Sequence, residues 1–95
     1  LSVNANDFGL LSPKYGNISA SALVKTGFGR LRGVFCASST GGTLALYDSL
    51  TAVAPIIVNT FALTASTYYE MGDVTFGTGL YADIANTADI TLFFF

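Results

Sequence analysis

The chain has no histidine and a single cysteine, Cys36. This removes Ser-His and Cys-His nucleophile pairs and imidazole metal sites, and one thiolate cannot build a zinc cage. Cys36 lies in the apolar run Val34-Phe35-Cys36-Ala37, the setting of a small buried hydrophobe rather than a nucleophile. Carboxylates remain. Asp73, Asp83 and Asp89 would have to converge to offer calcium its roughly six to eight oxygens, and they lack the dense spacing of a preformed calcium loop. A glycosidase pair needs two carboxylates held roughly 5 to 9 Å apart, which nothing in the sequence fixes, and there is no Trp platform for a sugar. Gly27-Phe28-Gly29-Arg30-Leu31-Arg32-Gly33 superficially suggests a phosphate loop, but it lacks the glycine spacing, the lysine and the following helix. It reads as a turn entering a strand. The Asn17-Ile18-Ser19 triplet satisfies the glycosylation sequon, which matters only in a eukaryotic secretory setting. No catalytic residue, metal site or cofactor follows from these residues, and the chain is read as a non-enzyme.

The composition points instead toward docking. Ninety-five residues make one domain with one core, burying around 60 to 65 per cent of the unfolded chain's surface. Charged residues are 11% of the chain, against roughly 25 per cent in a typical soluble domain. A shortage of charge weakens repulsion between copies, and an apolar patch left on such a surface marks an interaction site. All four bases, Lys14, Lys25, Arg30 and Arg32, precede Asp48, Glu70, Asp73, Asp83 and Asp89, with Asp7 the exception. Four dispersed bases make a poor nucleic-acid footprint, because such binding neutralises many phosphates. The uncharged stretch from Ser49 to Tyr69 contains Pro55, Asn59 and many hydroxyls and reads as strand and turn rather than a membrane span. Neither nucleic acid nor membrane is an expected partner. A chain that begins at Leu1 rather than Met is expected to be processed, tagged or incompletely represented.

The elements are short and punctuated by glycine. Residues 1–16 show no sustained period and are expected to form an extended N-terminal arm, with the folded domain spanning 17–95. Ile18 to Lys25 alternates as a half-buried strand. Arg30 to Ala37 follows, with Leu31, Gly33, Phe35 and Ala37 on one face and Arg30, Arg32, Val34 and Cys36 on the other, so that the two arginines project together. Ser38 to Gly42 predicts a hairpin turn and Thr43 to Asp48 the returning strand, because Gly41 and Gly42 adopt positive φ cheaply. Ile56 to Leu63 carries β-formers with apolar groups on both faces, as in a central or doubly covered strand. Two runs, Thr67 to Met71 and Val74 to Phe76, flank a turn or bulge at Gly72-Asp73. Two more runs, around Leu80 to Ile84 and Ile90 to Phe94, are separated at Asn86-Thr87. Seven or eight strands with turns every 8 to 12 residues or so predict an all-β fold, a two-layer antiparallel β-sandwich of jelly-roll type.

Alternation at the C-terminal end raises a specific question. If Leu92 and Phe94 face the core, Phe93 and Phe95 emerge on the other side, where each large ring would be roughly 1.5 to 3 kcal/mol better off buried. They need a cover, whether the arm, another subunit or a larger surface. Arg30, Arg32, Phe93 and Phe95 are therefore the candidate partner contacts. Tyr68, Tyr69 and Tyr81 suggest a different class, a carbohydrate-binding β-domain, since aromatic faces stack on sugars.

The runs Gly29-Arg30-Leu31-Arg32-Gly33-Val34, Thr43-Leu44-Ala45-Leu46-Tyr47-Asp48 and Phe76-Gly77-Thr78-Gly79-Leu80-Tyr81, ending in Ile90-Thr91-Leu92, together resemble small β-sandwich virion proteins of tailed bacteriophages. The resemblance covers roughly Gly29 to Leu92. It implies a capsid decoration, or cement, protein: copies, often trimeric, sit on the outer surface of the assembled shell and clamp neighbouring subunits of the major capsid protein, with the N-terminal arm as a further docking element. A tail, baseplate or head-fibre module is the alternative within the same class.

Overall fold

The computed structural model describes residues 12–95. They form β1 (Lys14–Ile18), β2 (Ala22–Thr26), β3 (Gly29–Tyr47), β4 (Ile56–Ala62), β5 (Thr67–Phe76) and β6 (Gly79–Phe94), with no helix among them. All six strands join one antiparallel sheet along the path β1-β6-β3-β4, with β2 also on β6 and β5 also on β3. The all-β expectation holds.

The sheet is built on two ribbons. In the first, β3 and β6 pair from Leu31 opposite Phe94 to Tyr47 opposite Tyr81. In the second, the β2–β6 ladder reaches Thr26 opposite Gly79, Gly27 N donates to Thr78 O at 2.9 Å, and the β3–β5 ladder begins with Gly29 opposite Phe76. One ladder thus runs into the other without a change of register. Both ends of β3 consequently lie beside the two-residue link Gly77-Thr78. A strand of 19 residues would be roughly 60 Å long if straight, so β3 must double back between its ends.

The bend has a local cause. Thr87 stands opposite both Thr40 and Gly41, a β-bulge, and Gly41 and Asn86 adopt φ values of 64° and 62°. The Asn86 Nδ2 donates to Gly41 O at 2.9 Å. An extra residue on one strand bends it and sharpens its twist, and glycine and asparagine are the residues that tolerate the left-handed region.

The converging ends are fastened by Asp48, just past β3. Its carboxylate accepts the backbone N–H groups of Gly77 at 3.0 Å, Thr78 at 2.8 Å and Gly79 at 3.4 Å. These bonds, led by Gly77 and Thr78, hold the Asp48 carboxyl below the usual carboxylate range. A depressed folded-state pKa gives stability that is complete above the unfolded value, about 3.9, and is lost as pH falls through the folded value. Stability is therefore expected to stay level from neutral pH down to about pH 5 and to decline below pH 4. In Asp48→Asn the decline should be shallower and neutral-pH stability lower by about 1 kcal/mol, less than the roughly 1.5 to 3 kcal/mol of a charged acceptor because the site is wet. Urea unfolding at pH 7 and pH 3 measures both.

Alternation explains the core. Leu44, Leu46, Leu80, Ala82, Ile90 and Leu92 are fully buried, and Leu31, Val34, Cys36 and Phe76 join the same cluster. Burial pushes the Cys36 thiol upward, as expected for a packed hydrophobe.

Several sequence expectations are corrected. Ser38 to Gly42 is not a turn, because β3 runs through it, and the glycines serve the bulge. Asn86-Thr87 likewise interrupts no strand, so the described residues form six strands rather than the expected seven or eight. Residues Ile18 to Lys25 divide between β1 and β2. Ile56 to Leu63 is not central: β4 ends the sheet path, and Ile56, Asn59, Thr60 and Ala62 are exposed. Leu31 and Phe35 do not share a face, because a register shift between Leu31 and Gly33 turns Val34 and Cys36 inward and leaves Phe35 outside. The opposing feature, Gly72-Asp73, is a bulge within β5, with φ of 66° and 56°. Of the expected arm, residues 1–11 lie outside the described residues, and Lys14 to Gly16 belong to β1.

Candidate interaction face

The half of the sheet formed by β1, the end of β6, the start of β3 and β5 gathers the candidate contacts on its outer side. Leu92 and Phe94 are buried, whereas Phe93 and Phe95 alternate outward and are half-buried. Tyr15 stands opposite Phe93 on β1, and Phe35 stands opposite Tyr68 on β5. Directly opposed residues of an antiparallel pair share a face, so Tyr15, Phe35, Tyr68, Phe93 and Phe95 form one aromatic surface. Tyr15 is 76% exposed and Tyr68 44%.

Gly33 makes this surface continuous. It lies opposite Phe93 on one side and Glu70 on the other, and the Tyr68 ring lies across it, so that an added Cβ would collide with the phenol. The Tyr68 ring thereby comes to 6.4 Å from the Phe93 ring, tilted by 53°. Partial burial, followed by the neighbouring Glu70 charge, raises the Tyr68 hydroxyl above its ordinary range.

Arg30 and Arg32 do project together, and both meet Phe95. Their guanidinium carbons lie 4.5 and 4.9 Å from its ring centroid, within the range of cation–π attraction. Part of the cover that Phe95 needs therefore comes from the chain itself. The two arginines differ otherwise. Arg32 is bound in fork geometry by Asp73, Nε to Oδ1 at 2.8 Å and Nη2 to Oδ2 at 3.1 Å. That hydrogen-bonded pair lowers the Asp73 carboxyl and raises Arg32 further. Arg30 has no carboxylate within salt-bridge distance among the described residues.

The three aspartates considered for calcium are engaged separately. Asp73 holds Arg32, Asp83 accepts from the Ser21 hydroxyl at 2.9 Å, and Asp89 accepts from Asn17 Nδ2 at 2.7 Å. Among the described residues no three His, Cys, Asp or Glu side chains group as a metal site. Asn17 Nδ2 also donates to Ile90 O and to Thr91 Oγ1, so the sequon asparagine works as a cross-strand tie.

The tyrosines do not act as a set. Tyr69 turns inward against Phe61, ring centroids 5.1 Å apart, and its hydroxyl accepts Thr64 N–H at 2.8 Å. Tyr81 belongs to the other half of the sheet, in the row Leu23, Tyr81, Tyr47, Ile56 across β2, β6, β3 and β4. Sequence reasoning missed Tyr15, hidden in the expected arm, and Phe35, misplaced by the bulge. The signal for Phe35 was Gly72-Asp73, recognised as irregular but not carried across to the paired strand.

No protein-family model, curated protein or solved structure matches this chain.

Proposed function

We propose that the chain is a virion structural protein, a capsid decoration (cement) protein that binds the outside of the major capsid shell through the aromatic face. The observation that carries this reading is the gathering of five aromatic rings and two arginines on one side of one half of the sheet. A monomer seldom leaves a large contiguous apolar patch to water, and aromatic residues and arginine are the types enriched where protein interfaces draw their binding energy. The doubled-back ribbons support the finer fold reading, in which the two halves of the sheet form the layers of a sandwich. A trimer on a symmetric shell would multiply weak contacts by avidity. A tail or baseplate module would use the same face. The opposed directions of Tyr68 and Tyr69 weigh against a sugar platform built from both.

Native mass spectrometry gives the first test, with a stable trimer expected. Sedimentation with shells assembled from the major capsid protein of the same phage gives the second, with saturating, stoichiometric binding expected. Arg30→Glu is the sharper arginine variant, because Arg32 is already committed to Asp73. It should weaken shell binding about tenfold, and the remaining binding should respond less to salt. Unchanged affinity and salt dependence would remove Arg30 from the interface.

A further inference from the structure

Beside the aromatic face, at the corner where β2 gives way to β3, lies an open pocket of about 380 Å³ lined by Lys25, Phe28, Gly29, Arg30, Thr75 and Phe95. It falls within the roughly 300 to 1,000 Å³ typical of ligand sites. Two of its walls are rings: Phe28, 69% exposed, and Phe95, under Arg30. Two of its side chains are cations. The Lys25 ammonium donates to Phe95 O at 3.2 Å and Arg30 stacks on a ring, so neither charge meets an acidic side chain among the described residues. Among the described residues no acidic side chain lines the pocket, and Asp73, which feels the Arg30 charge, is held by Arg32. Thr75 adds a hydroxyl.

Two cations with no acidic side-chain partner among the described residues, set beside two apolar rings, fit an anion that carries an apolar group. We infer that this pocket takes an acidic peptide segment of the partner protein, one Asp or Glu carboxylate set between Lys25 and Arg30 and an adjoining large apolar side chain against Phe28. The inference rests on the docking role proposed above and names the chemistry of the partner's segment. The guanidinium fork suits a carboxylate, and the backbone beneath it is closely packed at Gly29, where an added Cβ would strike Phe95 O and the Phe76 ring.

The test uses the 95-residue chain and the peptide acetyl-Asn-Asp-Phe-Gly-amide, followed by amide NMR. Saturable shifts confined to Lys25, Phe28, Gly29, Arg30 and Thr75 are expected, with dissociation constants near 1 mM, a weak contact suited to avidity. Replacing the peptide's Asp with Asn should weaken binding about tenfold, and so should Arg30→Gln or Phe28→Ala in the protein. Both side chains are exposed, so the remaining spectrum should stay native. Equal shifts with the Asp and Asn peptides, or shifts centred on Phe93 and Tyr68, would overturn the pocket assignment. The chain's own Asp7-Phe8 pair has the same chemistry. Asp7→Asn shifting the Gly29 and Arg30 amides in the absence of peptide would make that segment the occupant and overturn the partner assignment. Peptide binding together with no shell binding would support the pocket while refuting the capsid role, and shell binding indifferent to Phe28→Ala and Arg30→Gln would do the reverse.

Discussion

Phe76→Ala is expected to lower stability by about 3 to 5 kcal/mol, the range for truncating a buried phenylalanine. Domains commonly have only about 5 to 15 kcal/mol in total. Phe76 is 1% exposed and stands opposite Gly29 where the two ladders join, so its ring packs against the corner that keeps β3 doubled. Removing the ring leaves a cavity there, and the neighbouring main chain, held by the Asp48 bonds, has little freedom to close it. In thermal unfolding each kcal/mol should lower Tm by about 4 to 8 °C, placing the variant well below the parent. Phe76→Leu, which retains most of the volume, should lose distinctly less. A loss under about 1 kcal/mol for the alanine variant would mean that the corner is not a packed part of the core.

The second large effect concerns binding. Phe93→Ser should reduce shell affinity by about 30-fold or more, the mark of an interface hot spot worth at least roughly 2 kcal/mol. The fold should survive, because Phe93 points away from Leu92 and Phe94 and is only half-buried. Its position is central to the proposed contact: Tyr15 lies across from it on one side, and the Tyr68 ring reaches toward it over Gly33. Truncation would therefore leave a hole between two remaining aromatics rather than trim a rim. Matched circular dichroism spectra and a shell-binding isotherm separate loss of contact from loss of fold. Assembly indistinguishable from the parent would sink the assignment of this face.

The parts of the fold legible in the sequence are those where period-two alternation runs uninterrupted. Leu92 and Phe94 against Phe93 and Phe95 needed only that rule, as did Leu44 and Leu46, and the burial of Cys36 followed from its apolar neighbours. The failures share one physical source. A glycine or asparagine with positive φ serves equally in a two-residue turn and in a bulge, so Gly41 and Asn86 signal a break in alternation without saying whether the chain reverses. The difference lies in the opposing strand, more than forty residues away in the case of Gly41 and Thr87. The edge position of Ile56 is equally non-local, because its β-forming composition suits a central strand and only the pairing shows that none of the described strands lies beyond it. Arg30 and Arg32 could be placed on one side from spacing, but the division of labour between them depended on Asp73, which reaches Arg32 only because β5 bulges opposite it.

The pairing pattern also orders events during synthesis. Strands β1, β2 and β3 all take partners along β6, which leaves the ribosome after the five other strands. Until residues 79–94 have emerged, the nascent chain can pair β3 with β4 and β5 but cannot close either ribbon. Such distant pairings are slow to form, and the open edge of β3 would meanwhile be available to other nascent copies. Productive folding should therefore depend on how quickly β6 follows β5 out of the exit tunnel.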